Sequence, residues 1–374
     1  MAELNETPTG YRIRISFFGR RNAGKSTLVN AITGQEIAIV SDVAGTTTDP
    51  VSKAMEILPL GPCLITDTAG LDDEGALGEE RVRRSLDVLE KTDVAVWVES
   101  GEGDESCDEV ERRFLRVCGE RRIPVLRYRR GDSVEDLKQK IAAIKLAEAP
   151  RPLVADLVTP GDTVVCVCPI DESAPKGRLI LPQQQVIREI LDGGAGAFVC
   201  QPGPVLARAC VDLRPKFVIT DSQAFGQVAP VVPKDIPLTS FSIVFARAKG
   251  DLAEYCAGAE AIARLQDGDT VLVAEGCTHH RQCNDIGTVK LPKGLMKKSG
   301  RKLNFEFSSG DAFPEDLSRF ALVVQCGGCM LTRRAVQARI ARCQAAGVPI
   351  TNYGIVLAAC NGIQADPGTC MVRR

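Results

Sequence analysis

The chain has 374 residues, with 46 basic against 48 acidic side chains for a formal net charge of −2, and it is 44% hydrophobic and 25% charged. That length exceeds one ordinary domain and suits two or three, and the composition excludes a mostly disordered chain. The balanced charge and an aromatic content of 5% argue against nucleic acid, which asks for a basic field and stacking platforms.

Met1 to Gly10 is polar and lacks a signal-peptide core, and no apolar run approaches the roughly 18 residues that span a bilayer. A cytoplasmic protein without membrane contact is expected. Ile13, Ile15 and Phe17 alternate with polar residues and run into Gly19, which predicts a strand ending in a glycine loop; Leu28, Val29 and Ile32 follow at helical spacing. Apolar runs at Cys63–Ile65, Val94–Val98 and Pro124–Leu126 predict further strands, and Glu79–Lys91, Glu105–Val117 and Val134–Ala147 predict helices between them. The segment Glu148-Ala149-Pro150-Arg151-Pro152 reads as a linker. Beyond it the pattern predicts a strand at Val164–Val167, a helix near Pro182–Leu191, a strand at Phe217–Thr220 and apolar material at Phe241–Ala246. The last third predicts strands at Val271–Ala274 and Ala321–Val324, a helix at Thr332–Arg342, and Val348–Thr351 after it. The expected fold is α/β, with domains at 1–149, 153–260 and 262–374.

Gly19-Arg20-Arg21-Asn22-Ala23-Gly24-Lys25-Ser26 fits G-x-x-x-x-G-K-S between a predicted strand and helix. Such a loop turns several backbone N–H groups toward one phosphate, Lys25 reaches the outer phosphates, and the Ser26 hydroxyl ligates Mg²⁺. Thr27 completes the nucleotide-binding set. Asp67-Thr68-Ala69-Gly70 follows the strand at Cys63–Ile65, where Asp67 can hold the Mg²⁺ shell and the Gly70 N–H can sense the γ-phosphate. Between the two motifs, Gly45-Thr46-Thr47-Thr48-Asp49 stands where a switch loop supplies a threonine, Thr47, to the metal. Together these segments resemble the TrmE/Era class of GTPases. That resemblance implies Mg²⁺-dependent hydrolysis of GTP to GDP, and a K⁺ ion that Asn22 helps to hold in place of an arginine finger. Leu71 stands where Ras-like proteins carry a glutamine. Such GTPases read guanine with Asn-Lys-x-Asp, but here Arg129-Arg130-Gly131-Asp132 follows the fifth strand. Either Asp132 survives from a degenerate motif, or the segment is a plain turn.

The chain has 15 cysteines and 2 histidines, the latter adjacent at His279 and His280. An odd cysteine count without a signal sequence points to thiols or metal rather than disulfides. Cys277-Thr278-His279 follows one predicted strand, and Cys326-Gly327-Gly328-Cys329 follows another. Loops at the carboxyl ends of neighbouring parallel strands converge, so the three thiols can meet. A closed zinc site and an iron–sulfur cluster both suit the set, and a domain large enough to bury its own core favours the cluster.

The run Glu275 to Gly287, the Cys326–Cys329 pair and Thr351-Asn352-Tyr353-Gly354 closely resemble the HydF family of [FeFe]-hydrogenase maturation GTPases. The resemblance covers the whole chain. It implies a GTPase domain, a dimerising middle domain that makes a homodimer, and a domain in which Cys277, Cys326 and Cys329 hold a [4Fe–4S] cluster. It makes His279 a candidate fourth or neighbouring group, and it implies a carrier of the diiron precursor made with the radical enzymes HydE and HydG for the hydrogenase apoprotein. Where that family often has a histidine directly before C-x-x-C, this chain has Gln325, which suggests an open fourth iron position. The alternative is a TrmE/Era-like GTPase with a zinc-binding tail that acts on RNA.

Overall fold

The computed structural model describes residues 7–34, 51–72, 76–99, 107–144, 151–170, 177–276, 285–310 and 312–374, without the side chains of 76–81 and 107–108. The chain divides into two compact units, Met1–Ala149 and Pro150–Arg374.

The first unit has strands β1 (Ile13–Gly19), β2 (Val51–Ile57), β3 (Gly61–Asp67), β4 (Val94–Glu99) and β5 (Val125–Arg129), with helices α1 (Lys25–Thr33), α2 (Ala76–Glu90), α3 (Cys107–Glu120) and α4 (Val134–Ala142). The sheet order is β2-β3-β1-β4-β5, parallel except for β2 against β3. Residues 94–98 are buried on both faces, as the unbroken apolar run Val94–Val98 requires of a central parallel strand. On one face Leu28, Val29, Ile32, Leu137 and Ile141 cover Ile15 and Phe17. On the other, Phe18 and Trp97 pack with Leu89, Phe114 and Cys118. Strand β2 has no apolar run to predict it, because this edge strand buries only Ile57 and places Ser52, Lys53 and Glu56 among its other positions. The last helix of the unit is shorter than the expected Val134–Ala147, since α4 ends at Ala142.

The second unit contains β6 (Thr163–Val167), α5 (Leu181–Asp192), β7 (Gly196–Cys200), α6 (Pro204–Leu213), β8 (Phe217–Thr220), α7 (Phe225–Val228), β9 (Leu238–Ser240) and α8 (Phe241–Lys249). It continues with α9 (Leu252–Ala259), β10 (Thr270–Ala274), α10 (Leu291–Ser299), β11 (Asn304–Ser308), β12 (Leu322–Gln325), α11 (Arg333–Ala345), β13 (Ile350–Asn352), α12 (Tyr353–Cys360) and the short antiparallel pair β14 (Gln364–Ala365) and β15 (Val372–Arg373). Two parallel four-stranded sheets result, β7-β6-β8-β9 and β11-β10-β12-β13. They share one core, in which Ile243, Val244 and Phe245 of α8 join residues 164–167 of the first sheet to Val323 and Ile350 of the second. Every α8 residue except Ser242 is buried, which explains an apolar run without amphipathic period: the helix is covered all round. The architecture is the α/β one expected. Strand β10 pairs directly with β12, Ala274 opposite Gln325, and β12 with β13, Gln325 opposite Asn352. The chain segments that follow these residues therefore leave the sheet at the same, carboxyl end of its strands.

Candidate functional site

Strand β1 ends at Gly19 and α1 begins at Lys25, so residues 20–24 form the loop between them. Asn22 (φ 60°) and Gly24 (φ 90°) take left-handed conformations that curl it. The Lys25 side chain folds back over this loop, buried, and donates to the carbonyls of Arg20 at 2.6 Å and Gly19 at 3.3 Å. A lysine at the first turn of a nine-residue helix is poised for an anion. Asn22 and Thr27 are exposed.

The Ser26 hydroxyl donates to Asp67 Oδ2 at 2.5 Å, while Asp67 Oδ1 is buried with no hydrogen-bond partner among the described residues. Burial raises the Asp67 carboxyl above the ordinary carboxylate range, against Ser26 and Lys25, which lower it. An orphaned carboxylate oxygen beside a serine hydroxyl is a hard-oxygen donor set that fits Mg²⁺. Thr68 donates to the Phe17 carbonyl at 2.6 Å, Ser85 of α2 to the Ala69 carbonyl at 3.2 Å, and the Leu71 N–H to the Gly19 carbonyl at 3.2 Å. These bonds fasten the Asp67–Leu71 segment across the loop. A Cβ on Gly70 would lie 2.7 Å from Arg21 N, so only glycine permits the approach. The Leu71 side chain packs on the core around Phe18 and Leu89, and Asp72, which sequence reasoning missed, accepts from the Arg21 N–H at 2.6 Å. Thr47, with Thr46 and Thr48, lies outside the described residues.

At the end of β5, Asp132 Oδ2 accepts from the Arg129 N–H at 2.8 Å and the Asp132 N–H donates to the Arg129 carbonyl at 2.9 Å. Tyr128 closes the same turn onto the Asp132 carbonyl at 3.1 Å, and Arg129 pairs with Glu99 at 2.8 Å. Of the two sequence readings, the geometry favours the plain turn, because the carboxylate is folded onto its own backbone.

At the other site, the Cys326 N–H donates to the Ala274 carbonyl at 2.9 Å, which extends the ladder one residue past β12. The Gly276 N–H reaches Cys326 Sγ at 3.0 Å, and the Gly328 N–H reaches the same sulfur at 3.4 Å. A Cβ on Gly276 would meet Leu331 Cγ at 2.7 Å, so any larger residue would have to displace the buried Leu331 side chain. The residue immediately before Cys277 thus touches the first thiol of the C-x-x-C pair. Cys277 and His279 themselves lie outside the described residues, and among the described residues no group of three or more His, Cys, Asp or Glu is arranged to hold a metal ion.

Side chains far away in sequence hold the cysteine loop. Lys249, 6% exposed, donates to the carbonyls of Gly328 at 3.0 Å, Cys329 at 3.2 Å and Leu331 at 2.7 Å. Asn352 Nδ2 donates to the Cys326 carbonyl at 3.2 Å, and its Oδ1 accepts from Ser242 at 2.9 Å. Gln325 is fully buried; its Oε1 accepts from Arg339 at 3.1 Å and its Nε2 points at Cys326 Sγ from 3.8 Å. Burial raises the Cys326 thiol, opposed by the Gly328 and Gly276 N–H groups, and pushes Cys329 up to about 11, opposed by Lys249. Burial lowers Lys249 to about 8, opposed by Cys329 and Cys326. Amide donors and an ammonium offset part of what burial costs the anionic sulfur, so this pair fits a cationic thiophilic centre, iron–sulfur or zinc, that would supply the rest. Sequence reasoning missed Lys249 and Arg339; a lysine ending an apolar run carries no signal of its own. Asn352 belongs to the Thr351-Asn352-Tyr353-Gly354 run, and no local pattern signals its bond to the Cys326 carbonyl.

Residues 253–365 match the family model described as the hydrogen maturase F tetramerization domain, and residues 153–250 match the hydrogen maturase F dimerization domain. Residues 14–128 match the model described as 50S ribosome-binding GTPase. Among curated proteins, the tRNA modification GTPase MnmE of Endomicrobium trichonymphae is 33% identical over 132 residues, covering 33% of this chain and 28% of that protein. GTPase Der of Wolinella succinogenes is 44% identical over 99 residues, covering 26% of this chain and 20% of that protein. The chain thus matches about a quarter of the length of these relatives. A solved structure of Aquifex aeolicus Era, bound to GDP and aluminium fluoride, aligns at 16% identity and a TM-score of 0.28 over 79% of this chain and 92% of that one. The amino-terminal unit is a P-loop GTPase domain.

Proposed function

The chain belongs to the hydrogen maturase F (HydF) family, and on that basis we propose that it is a GTP-hydrolysing iron–sulfur scaffold for [FeFe]-hydrogenase maturation. The observation that carries this reading is the 3.0 Å bond from the Gly276 N–H to Cys326 Sγ, which sets the residue before Cys277 against the C-x-x-C pair. Cys277, Cys326 and Cys329 would hold the cluster, with His279 as a further candidate ligand. A [4Fe–4S] cluster bound there supplies an iron position that no cysteine occupies. The substrate of the site is a diiron precursor, received with the help of HydE and HydG and passed to the hydrogenase apoprotein. The chain's own part is to keep the Cys326–Cys329 loop in one shape through Lys249, Asn352 and Gln325, so that cargo can leave while the ligands stay.

In the amino-terminal unit, Lys25 and the start of α1 would take the outer phosphates of GTP, Ser26 and Asp67 with Thr47 would take Mg²⁺, and Asn22 would take K⁺. The packed Leu71 side chain leaves water positioning to other groups, which agrees with K⁺ stimulation. Self-association through the middle sheet has a surface to use: β7 is an edge strand whose Phe198 and Val199 are 37% and 42% exposed, and α6 exposes Val205, Val211 and Leu213.

The test is transfer. Protein reconstituted anaerobically and loaded by the maturation system should activate hydrogenase apoprotein, measured as H₂ evolution. Cys326→Ser and Cys329→Ser should abolish activation yet keep GTP hydrolysis that K⁺ stimulates over Na⁺. Activation that survives Cys326→Ser would contradict the scaffold reading, and a K⁺ response that survives Asn22→Ala would contradict the potassium assignment.

A further inference from the structure

Three carbonyl oxygens of the cysteine loop converge on one nitrogen, Lys249 Nζ, which comes from the last residue of α8. An ammonium has three donors and a neutral amine has two, so a cradle of three acceptors selects the charged form. We propose that Lys249 is a positioning residue of the cysteine-bound centre: it fixes the Gly328–Leu331 backbone and adds a buried positive charge that stabilises the reduced, more anionic state of a cluster held by Cys326 and Cys329. The proposal rests on the iron–sulfur reading given above.

The placement of that charge is rigid. Ser240 caps α8, its hydroxyl oxygen accepting from the Ile243 N–H at 3.3 Å. At the far end, Gln337 of α11 donates to the Lys249 carbonyl at 3.1 Å and the Gly250 carbonyl at 3.0 Å. Two residues earlier, buried Arg247 is locked to Asp156 and donates to the Leu153 carbonyl at 3.1 Å. The Phe245 ring lies 5.4 Å from Nζ. A clamp alone needs no charge, since the neutral amide of Asn352 holds the opposite side of the loop. Burying an ammonium is costly unless an opposite charge answers it, and in a low-dielectric setting that partnership is strong. Three thiolates outweigh the charge of an oxidised [4Fe–4S] core, and one added electron makes the centre more negative still. The lysine therefore favours the reduced state over the oxidised one.

The experiment is a dithionite titration of the reconstituted protein with mediators, read by EPR of the reduced cluster, alongside iron and sulfide content of the same samples. Lys249→Met and Lys249→Gln should each shift the reduction equilibrium about tenfold against the reduced form, a midpoint roughly 59 mV more negative for one electron, while Lys249→Arg stays within about threefold of the parent. If Lys249→Met fails to fold, Lys249→Gln, which retains two amide donors, carries the comparison. Loss of iron from the Met and Gln variants but not from Arg would also support the charge role. Loss from all three variants, or retention by all three at the parent midpoint, would overturn it. A parent protein that takes up no iron would instead overturn the cluster reading itself.

Discussion

At both sites a buried lysine donates to the carbonyls of a glycine loop that follows a parallel strand: Lys25 to Gly19 and Arg20, Lys249 to Gly328, Cys329 and Leu331. At both, backbone N–H groups are gathered for an anion, phosphate in one case and sulfur in the other. The difference lies in where the lysine comes from. Lys25 belongs to the loop it serves, whereas Lys249 stands 79 residues before the first carbonyl it holds. A self-contained loop can be carried from one protein to another as a short motif. The cysteine loop is held by side chains of α8, β13 and α11, so its shape is set only within a finished core.

The largest effect should come from breaking the self-contained site. Lys25→Ala removes the buried charge from the phosphate loop, and GTP affinity should fall at least on the order of 100-fold, about 3 kcal/mol, by isothermal titration. Iron content should not change, because Lys25 and the cysteine loop belong to different compact units. A loss under about tenfold would mean that the helix N-terminus and backbone amides dominate phosphate binding. A smaller effect concerns the base. With the Asp132 carboxylate folded onto the Arg129 N–H, competition binding should show GTP preferred to ATP by less than about 100-fold, and Asp132→Ala should change that ratio by less than about tenfold. A strong preference that collapses in the variant would show that the turn opens to read guanine.

The smallest effect tests the distributed scaffold. Glu189 of α5 accepts from the Leu153 N–H at 2.9 Å and the Val154 N–H at 3.3 Å, and so ties down the segment that Arg247 grips. Burial raises its carboxyl above the ordinary 4.5, against those two donors. A folded value above the unfolded one means the folded state holds the extra proton. Its stabilising contribution is therefore complete below about 4.5 and is lost as pH rises through the raised value. Urea midpoints should decline across that window, and Glu189→Gln should flatten the decline. An unchanged pH profile in the variant would assign the slope to another group.

What could be read from the sequence follows the same division. The Gly19–Ser26 loop was legible because strand, glycines, lysine and serine are contiguous, and Asp67 because it ends the next parallel strand. The strands Val271–Ala274 and Ala321–Val324 were legible as apolar runs, and the convergence of the loops after them was expected from parallel topology. Strand β2 was not, since an edge position tolerates the lysine and glutamate that resemble a loop. The role of Phe241–Ala246 was not legible either: a helix buried all round has no period to show which elements it joins. Lys249 and Arg339 gain meaning only when α8 and α11 pack on the cysteine loop, a tertiary fact with no local pattern.

The most direct test of the scaffold account is iron, acid-labile sulfide and zinc analysis of the anaerobically reconstituted chain beside its Cys326→Ser variant. The account expects about four irons and four sulfides per chain in the parent, little zinc, and loss of the iron in the variant with nucleotide binding intact. Zinc in place of iron, or a full iron complement in Cys326→Ser, would contradict it.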